Sequence, residues 1–262
     1  LKSAPVDSDT FRKSILGLIP RETLHSIAER AGLSIDKAFQ FSFLDLIMSA
    51  ASQRRTSSVA SNGVCEVLVV SANPATQVPL DLGEEVRAIE EKIRGAKYRD
   101  LVRLTTKWAA RPDDLVQALN ENQPRILHFS GHGSEESCLI FTDHDSDEQP
   151  VSSEAMLALL RTALGKSVRL VVLNACFSRV QADALVEVVD CAIGMNDEIS
   201  DETAIVFAAA LYRAIGFGRS IQDAFEQARA TIMLEGIPEE HIPELFCRQG
   251  LNPNHIILVE ST

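Results

Sequence analysis

Two short segments of the sequence carry side chains that could do covalent chemistry. Residues 128–133 read HFSGHG, and residues 173–178 read LNACFS. A cysteine attacks as its thiolate, and a neighbouring imidazole or a helix N-terminus can lower the thiol pKa from about 8.5 to about 3.5–7.5. Cys176 follows a predicted strand and precedes a predicted helix, so both aids are expected. The pattern therefore favours a Cys/His dyad of His132 and Cys176.

Glycines on both sides of His132 leave the backbone there open to a ligand. We expect the N–H groups of Gly133 and Cys176 to form an oxyanion hole. The residues alone leave a plainer interpretation open, since a single cysteine at a strand end is commonly a small buried hydrophobe. A histidine in a glycine-rich loop is likewise commonly a turn residue. His128 lies on a predicted strand, as a core or supporting residue or, alternatively, as a residue that orients the dyad.

The elements that must position these segments begin at about residue 64, where short apolar runs start to alternate with amphipathic helices. Strands are predicted at 65–71, 101–105, 125–130, 169–174, 190–195 and 255–260, and a hairpin is predicted to include 138–142. The alternation indicates an α/β fold with a mostly parallel sheet flanked by helices. Function collects at the carboxyl ends of such strands. The strands before His132 and Cys176 can be neighbours, which would bring the two side chains together.

The first part of the chain has a different character. Residues 7–53 carry apolar side chains at helical spacing, which predicts a small all-α, adaptor-like domain over residues 1–52. Residues 53–63 are rich in Ser, Asn and Gly and are predicted to form a linker. A DNA-binding helix-turn-helix around residues 31–34 and cleavage at residues 54–55 are weaker alternatives. The chain begins with Leu rather than Met, which indicates a fragment or a processed chain.

Charge and hydropathy exclude several classes of function. The net charge of −12 over 262 residues comes entirely from residues after 58, since residues 1–58 carry +2 and the rest carry −14. An acidic body repels phosphate backbones, so we expect no nucleic-acid binding by the main domain. The sequence has no apolar run near the roughly 18 residues that a membrane helix needs. It also lacks a signal peptide. We therefore expect no membrane association and a cytoplasmic location.

The five cysteines show no C-x-x-C spacing, and their odd number argues against a disulfide framework. We expect reduced thiols, with structural roles for Cys65 and Cys191 in strands, Cys138 in a hairpin and Cys247 near a helix end. The Cys and His spacings do not suit a zinc site. A glycine-rich phosphate loop is missing, and the acidic loop after residue 142 lacks the spacing of a calcium loop. We expect no metal and no cofactor.

The motifs, taken in order, resemble the CHAT family of caspase-like cysteine peptidases. The likeness is carried by residues 71–74 (SANP) with 80–90, 128–133 (HFSGHG), 172–178 (VLNACFS), 192–195 (AIGM) and 200–204 (SDETA). It predicts a CHAT peptidase domain over residues 64–262, most similar to prokaryotic CHAT domains attached to helical effector-associated modules. The resemblance implies the caspase–hemoglobinase fold of clan CD, with His132 as general base and Cys176 as nucleophile. A third catalytic residue is not evident, so a backbone carbonyl would have to orient the imidazole.

The resemblance also implies a function. It implies a cysteine endopeptidase that cleaves protein substrates, as an effector in a prokaryotic conflict or programmed-death signalling system. Related peptidases select the P1 residue through a charged pocket, and the acidic candidates near the active edge are Asp143, Asp145, Asp197 and Asp201. They would favour Arg or Lys at P1; alternatively, they are surface or helix-capping residues. A second hypothesis is a latent or non-catalytic assembly module of a larger signalling protein, with residues 1–52 as its adaptor or homo-oligomer contact.

Overall fold

A six-stranded sheet forms the centre of the protein in the computed structural model, which describes residues 63–162 and 166–260. The strands are, in chain order, β1 (Cys65–Ala72), β2 (Val102–Lys107), β3 (Ile126–Gly131), β4 (Leu139–Thr142), β5 (Glu148–Val151), β6 (Leu170–Asn174), β7 (Cys191–Met195) and β8 (Pro243–Cys247). The sheet runs β2-β1-β3-β6-β7-β8, while β4 and β5 form a separate antiparallel hairpin. Strand β8 is antiparallel to β7, and the other pairings in the sheet are parallel. The mostly parallel sheet expected from the sequence is therefore confirmed.

The predicted helical domain at residues 1–52 lies outside the described residues, as does the predicted linker up to residue 62. Within the described residues, six α-helices cover the two faces of the sheet. They are α1 (Leu82–Arg94), α2 (Pro112–Asn122), α3 (Ser153–Arg161), α4 (Arg179–Leu185), α5 (Asp201–Gly216) and α6 (Ile221–Leu234). Helices α1, α5 and α6 pack into one apolar cluster, and α2, α3 and α4 pack into the other. Short 3₁₀ turns occur at Arg99–Leu101 and Pro253–His255.

Helix α1 illustrates how the sequence sets the layers. Its buried apolar side chains recur every three or four residues, at Leu82, Val86, Ile89 and Ile93, which is the spacing of one helix face. The helix begins at its N-cap Asp81, whose side chain accepts a hydrogen bond from the backbone N–H of Glu84. Strand β1 is buried along nearly its whole length because helices cover both sides of it. Continuous apolar strands are the sequence signature of that arrangement.

The last strand was predicted at the wrong place. Residues 255–260 are not a strand of the sheet: a 3₁₀ turn ends at His255, and Ile257 makes one isolated bridge to Ser220. The sheet instead ends with β8, which pairs with β7. The side chains of Ile256, Leu258 and Val259 are apolar because they fill the core beside α5 and α6. Strand β8 escaped prediction because it is an edge strand and is largely only half-buried, so its apolar pattern is weak.

The expectation of five reduced thiols is also wrong. Cys247 lies in β8 rather than near a helix end, directly opposite Cys191 on β7, and the two form a disulfide. Antiparallel pairing explains the contact, because residues directly opposite each other hold their Cβ atoms close enough for a direct bond. Once β8 was missed, the sequence offered no reason to bring these two cysteines together. Cys65, Cys138 and Cys176 are free.

Candidate active site

His132 and Cys176 line one cleft at the carboxyl edge of the sheet. His132 directly follows β3, and Cys176 lies two residues after β6, the strand paired with β3. The cleft is open to solvent and is also bordered by the start of α1 and by the start of α5. The structure thus brings together the two residues that the sequence singled out for chemistry. Both side chains are partly exposed, so a substrate can reach them.

A backbone carbonyl orients the imidazole. Nε2 of His132 lies 3.0 Å from the carbonyl oxygen of Val78, in the loop between β1 and α1. A carbonyl can only accept, so Nε2 carries the proton and Nδ1 keeps its lone pair. Burial lowers the pKa of His132, against the opposing effects of the Val78 carbonyl and of the charges on Asp201 and Glu148. The imidazole is therefore a neutral base with Nδ1 available for a proton.

The SANP segment holds this loop in place. Asn73 spans the loop with both ends of its amide, donating from Nδ2 to the carbonyl of Leu80 at 3.2 Å and accepting at Oδ1 from the N–H of Leu80 at 3.4 Å. The N–H of Ala75 donates to the carbonyl of Ser146 in the β4–β5 turn at 2.8 Å. These contacts hold the segment in which Val78 presents its carbonyl to His132. The sequence indicated the SANP motif, but it did not indicate the Val78 carbonyl that this motif positions.

The turn that carries Cys176 is tightly fixed. Phe177 has φ of 55°, a left-handed conformation that is uncommon for a non-glycine residue. Ser178 then donates from Oγ to the carbonyl of Leu173 and accepts from the N–H of Met195, each at 3.0 Å. One hydroxyl group thus connects the turn to both β6 and β7. The backbone around the thiol is held by the sheet itself.

The thiol of Cys176 has an environment opposite to the one expected from the sequence. Burial raises its pKa above the usual range, and the nearby charges of Glu198 and Asp197 raise it further. The Sγ–H points to the carbonyl of Ile199 at 4.0 Å. Helix α4 begins three residues later and has only seven residues, so its dipole gives little compensation. The thiol and the imidazole are both neutral, and no hydrogen bond joins them in the described residues.

The two glycines around His132 allow close backbone contacts. A Cβ at Gly133 would overlap the carbonyl oxygen of Cys176, and it would lie 3.3 Å from the amide nitrogen of Cys176. A Cβ at Gly131 would lie 2.6 Å from the carbonyl oxygen of Ala72. The backbone of residue 133 is therefore in contact with that of residue 176. This contact places next to each other the two backbone segments that carry the N–H groups expected to form the oxyanion hole.

The structure brings one of the four acidic candidates into the cleft. Asp201, in the first turn of α5, borders the cleft and accepts from the N–H of Asp81 at 3.2 Å. Asp197 lies close to the turn of Cys176, where its carbonyl accepts from the N–H of Phe177. Asp143 and Asp145 lie in the β4–β5 turn, where the Asp143 carboxylate accepts two backbone N–H groups. For α5 the N-cap is Ser200 rather than Asp201.

Sequence reasoning missed a buried polar network beneath the cleft. The carboxylate of Glu85 on α1 accepts from Ser130 and Asn174, and it lies 3.0 Å from Nε2 of His128. Nδ1 of His128 lies 3.1 Å from the hydroxyl oxygen of Tyr212 on α5. His128 is thus a buried supporting residue, one of the two roles considered for it. A signal for Glu85 existed, because it falls on the apolar face of α1.

Neither a metal site nor a membrane-spanning helix occurs among the described residues. No group of three or more His, Cys, Asp or Glu side chains there has the arrangement needed to hold a metal ion. None of the helices described is both long enough and apolar enough to cross a membrane.

A family profile and two curated relatives match the chain. The family profile described as "CHAT domain" matches residues 11–244. A "Roc-COR-CHAT protease" from an unknown prokaryotic organism is 26% identical over 181 residues, which cover 67% of this chain and 17% of that protein. A "Probable protease" from Gillisia limnaea is 25% identical over 158 residues, which cover 60% of this chain and 28% of that protein. The chain therefore matches less than a third of the length of either curated relative.

The fold also has a counterpart among solved structures. The crystal structure of the Arg-specific cysteine proteinase gingipain R superposes with a TM-score of 0.53 at 9% identity, over 74% of this chain and 48% of that one. At this level of identity the likeness concerns the fold. It agrees with the mostly parallel, helix-flanked sheet described above.

Proposed function

The chain belongs to the CHAT family of caspase-like peptidases, and on this basis we propose that it is a cysteine endopeptidase acting on protein substrates through His132 and Cys176. One observation carries the proposal. The two side chains line one cleft at the ends of neighbouring strands, and the imidazole is held so that Nδ1 can accept a proton. The names of the two curated relatives, both described as proteases, support the same reaction class.

The proposed reaction begins from a neutral pair. His132 takes the proton of Cys176 at Nδ1 while the sulfur attacks the scissile carbonyl carbon, forming the S–C bond. The N–H groups of Gly133 and Cys176 hold the resulting oxyanion. The C–N bond then breaks, and His132 gives its proton to the leaving amine. Water attacks the thioester, again with His132 as base, and the free thiol is restored.

We propose that the cleft prefers Arg or Lys at P1. Asp201 supplies a negative charge at its border. Asn174 also lines the cleft, and its buried Oδ1 has no hydrogen-bond partner among the described residues. A guanidinium or ammonium group would pair with the carboxylate of Asp201 and donate to the amide oxygen of Asn174. Asp143, Asp145 and Asp197 have backbone contacts elsewhere and support this preference less.

The biological setting is a further part of the proposal. We propose a CHAT peptidase domain over residues 64–262, a linker over 53–63 and a helical adaptor-like domain over 1–52, in an effector of a prokaryotic conflict or programmed-death system in the cytoplasm. The small share of each curated relative that the chain covers supports a role as one part of a larger protein. The molecular mass in solution, measured with and without residues 1–52, tests the adaptor. A monomer in both cases would remove it.

The raised pKa of the Cys176 thiol favours the alternative, a latent module. No direct hydrogen bond joins His132 to Cys176 in the described residues, so the pair would have to close on substrate or partner. Catalytic contacts are often loose in ligand-free structures and tighten in the substrate complex, so the same geometry is compatible with an active peptidase. The two functions differ in whether the isolated chain cleaves peptides.

Cleavage of a peptide library, read by mass spectrometry, tests the proposal. We expect wild type and Cys138→Ala to cleave equally, because Cys138 is a free thiol in the hairpin region. Cys176→Ala should abolish cleavage without changing the fold. Persistent cleavage by Cys176→Ala would contradict the assignment. A wild-type chain that cleaves nothing would favour the latent module.

A further inference from the structure

One buried acid beneath the cleft has no step of its own in the proposed chemistry. Glu85 on α1 is 3% exposed, and no other Asp or Glu of the described residues is buried. A carboxylate removed from water is unfavourable unless hydrogen-bond donors compensate it. The donors to Glu85 come from β3 and β6, which are the two strands that lead to His132 and Cys176.

The Glu85 carboxylate is hydrogen-bonded to one residue on β3 and to the residue paired with it on β6. Ser130 on β3 and Asn174 on β6 stand directly opposite each other, and each lies two residues before a member of the dyad. Ser130 donates from Oγ to Oε2 of Glu85, and Asn174 donates from Nδ2 to Oε1 at 2.7 Å. One planar group is therefore hydrogen-bonded to both strand ends. Movement of either end would break a bond to a buried charge.

Glu85 is itself held from the opposite side. Nε2 of His128 lies 3.0 Å from Oε1 of Glu85; a carboxylate oxygen only accepts, so Nε2 carries a proton and donates it. Burial raises the pKa of Tyr212 well above its usual range, so its hydroxyl stays protonated, and the hydroxyl oxygen lies 3.1 Å from Nδ1 of His128. The amide of Asn174 also donates to the carbonyl of Ala204, 3.1 Å away on α5. The network thus links α1, β3, β6 and α5 around one carboxylate.

We propose that Glu85 is a positioning residue, whose carboxylate fixes the ends of β3 and β6 so that His132 and Cys176 reach the same scissile carbonyl. The inference rests on the proposed peptidase function. It gives Glu85 no proton transfer and no contact with substrate. The competing role is the floor of the P1 pocket, because Glu85 also borders the cleft.

The variant Glu85→Gln keeps the size of the side chain but removes the charge. An amide cannot accept from all three donors, because one of its two ends is itself a donor. We expect kcat to fall about 10²-fold, the effect of misplacing reacting groups by roughly 1 Å, with KM and the ranking of P1 residues unchanged. Amide hydrogen exchange should become faster in both strand ends, at residues 130–133 and 174–177.

Two further variants serve as a partial loss of the network and as a control. Ser130→Ala breaks one of the two strand links, so we expect a smaller fall in kcat, about tenfold, and faster exchange at residues 130–133. It carries the test if Glu85→Gln does not fold. Glu90→Gln makes the same chemical change on the exposed face of α1 and should change neither kcat nor exchange at the strand ends.

The outcomes separate this inference from the proposed function. Wild-type kcat and wild-type exchange in folded Glu85→Gln, or in Ser130→Ala, would overturn the positioning role. A changed P1 ranking with unchanged kcat would assign Glu85 to the substrate pocket and would overturn it as well. Cleavage that persists in Cys176→Ala would instead remove the proposed function. Hydrogen exchange reports on the strand ends whether or not a substrate is cleaved.

Discussion

The contact between Gly133 and Cys176 gives the sharpest mutational expectation. In Gly133→Ala the added methyl group would overlap the carbonyl oxygen of Cys176 and lie 3.0 Å from its carbonyl carbon. Carbon atoms in contact lie about 3.5–4.0 Å apart, and backbone atoms cannot rotate away as a side chain can. The segments that carry residues 133 and 176 must therefore separate, by on the order of 1 Å, to restore contact distance.

This separation should cost far more activity than stability. Overpacking costs about 1–3 kcal/mol of the free energy of unfolding, which lowers Tm by about 2–4 °C per kcal/mol in a domain of this size. Displacement of reacting groups by about 1 Å costs roughly 10²-fold in rate, and loss of one oxyanion donor costs about 10²–10³-fold. We expect kcat/KM for peptide cleavage to fall at least about 10²-fold in a folded protein.

A matched glycine variant controls for the substitution itself. A methyl group added at Gly83, in the first turn of α1, would meet nothing within 4 Å, so Gly83→Ala should keep full activity. It should raise the free energy of unfolding by up to about 1 kcal/mol, because alanine favours the helix. Peptide cleavage and thermal unfolding of both variants decide the matter. A folded Gly133→Ala enzyme within about threefold of wild type in kcat/KM would refute the contact argument.

Three further expectations concern the loop, the thiol and the pocket. Asn73→Ala should lower the free energy of unfolding by about 1–2 kcal/mol, because two hydrogen bonds are lost. It should also lower kcat, because the Val78 carbonyl is no longer held, and an unchanged kcat would contradict this role. The rate of alkylation of Cys176 should rise with pH to an inflection above that of a free cysteine, about 8.5. Glu198→Gln should move this inflection to lower pH because a negative charge is removed. Mass spectrometry measures both rates, and an inflection below about 8 would contradict the burial argument. Asp201→Asn should reduce the preference for Arg over Leu at P1 about fivefold, the effect of one exposed charge pair, in a P1 peptide scan; an unchanged ratio would remove Asp201 from the pocket.

The sequence was informative where burial and topology act together. The strands before His132 and Cys176 are apolar along their length because helices cover both faces of the sheet. Their carboxyl ends must then meet at one edge, so the neighbourhood of the two residues follows from the strand order. The glycines beside His132 were also interpretable, since close backbone contact excludes any larger side chain at Gly133.

The sequence was less informative about contacts made by backbone or between distant segments. The Val78 carbonyl that orients His132 is a main-chain group, and any residue type would supply it. The direction of the Cys176 pKa shift depends on burial and on the charges of residues 197 and 198, which strand assignment cannot reveal. Glu85 joins strand ends that lie far from it along the chain, so its polar side chain alone did not identify the network.

Strand β8 shows a different limit. Its residues are mixed in hydropathy because an edge strand is covered on fewer sides, whereas residues 256–259 are apolar without belonging to the sheet. Hydropathy reports burial, and burial does not require strand pairing. The same error concealed the Cys191–Cys247 pair, which exists only because β8 runs antiparallel to β7.

The proposed dyad of His132 and Cys176 is tested most directly by covalent labelling with peptidyl acyloxymethyl ketones that differ only in their P1 residue. Intact mass and peptide mapping would locate the label on wild type and on His132→Ala. We expect saturable labelling of Cys176, fastest with Arg or Lys at P1 and strongly reduced without His132. Labelling that falls equally on Cys138, or that proceeds at the same rate in His132→Ala, would contradict a catalytic dyad of His132 and Cys176.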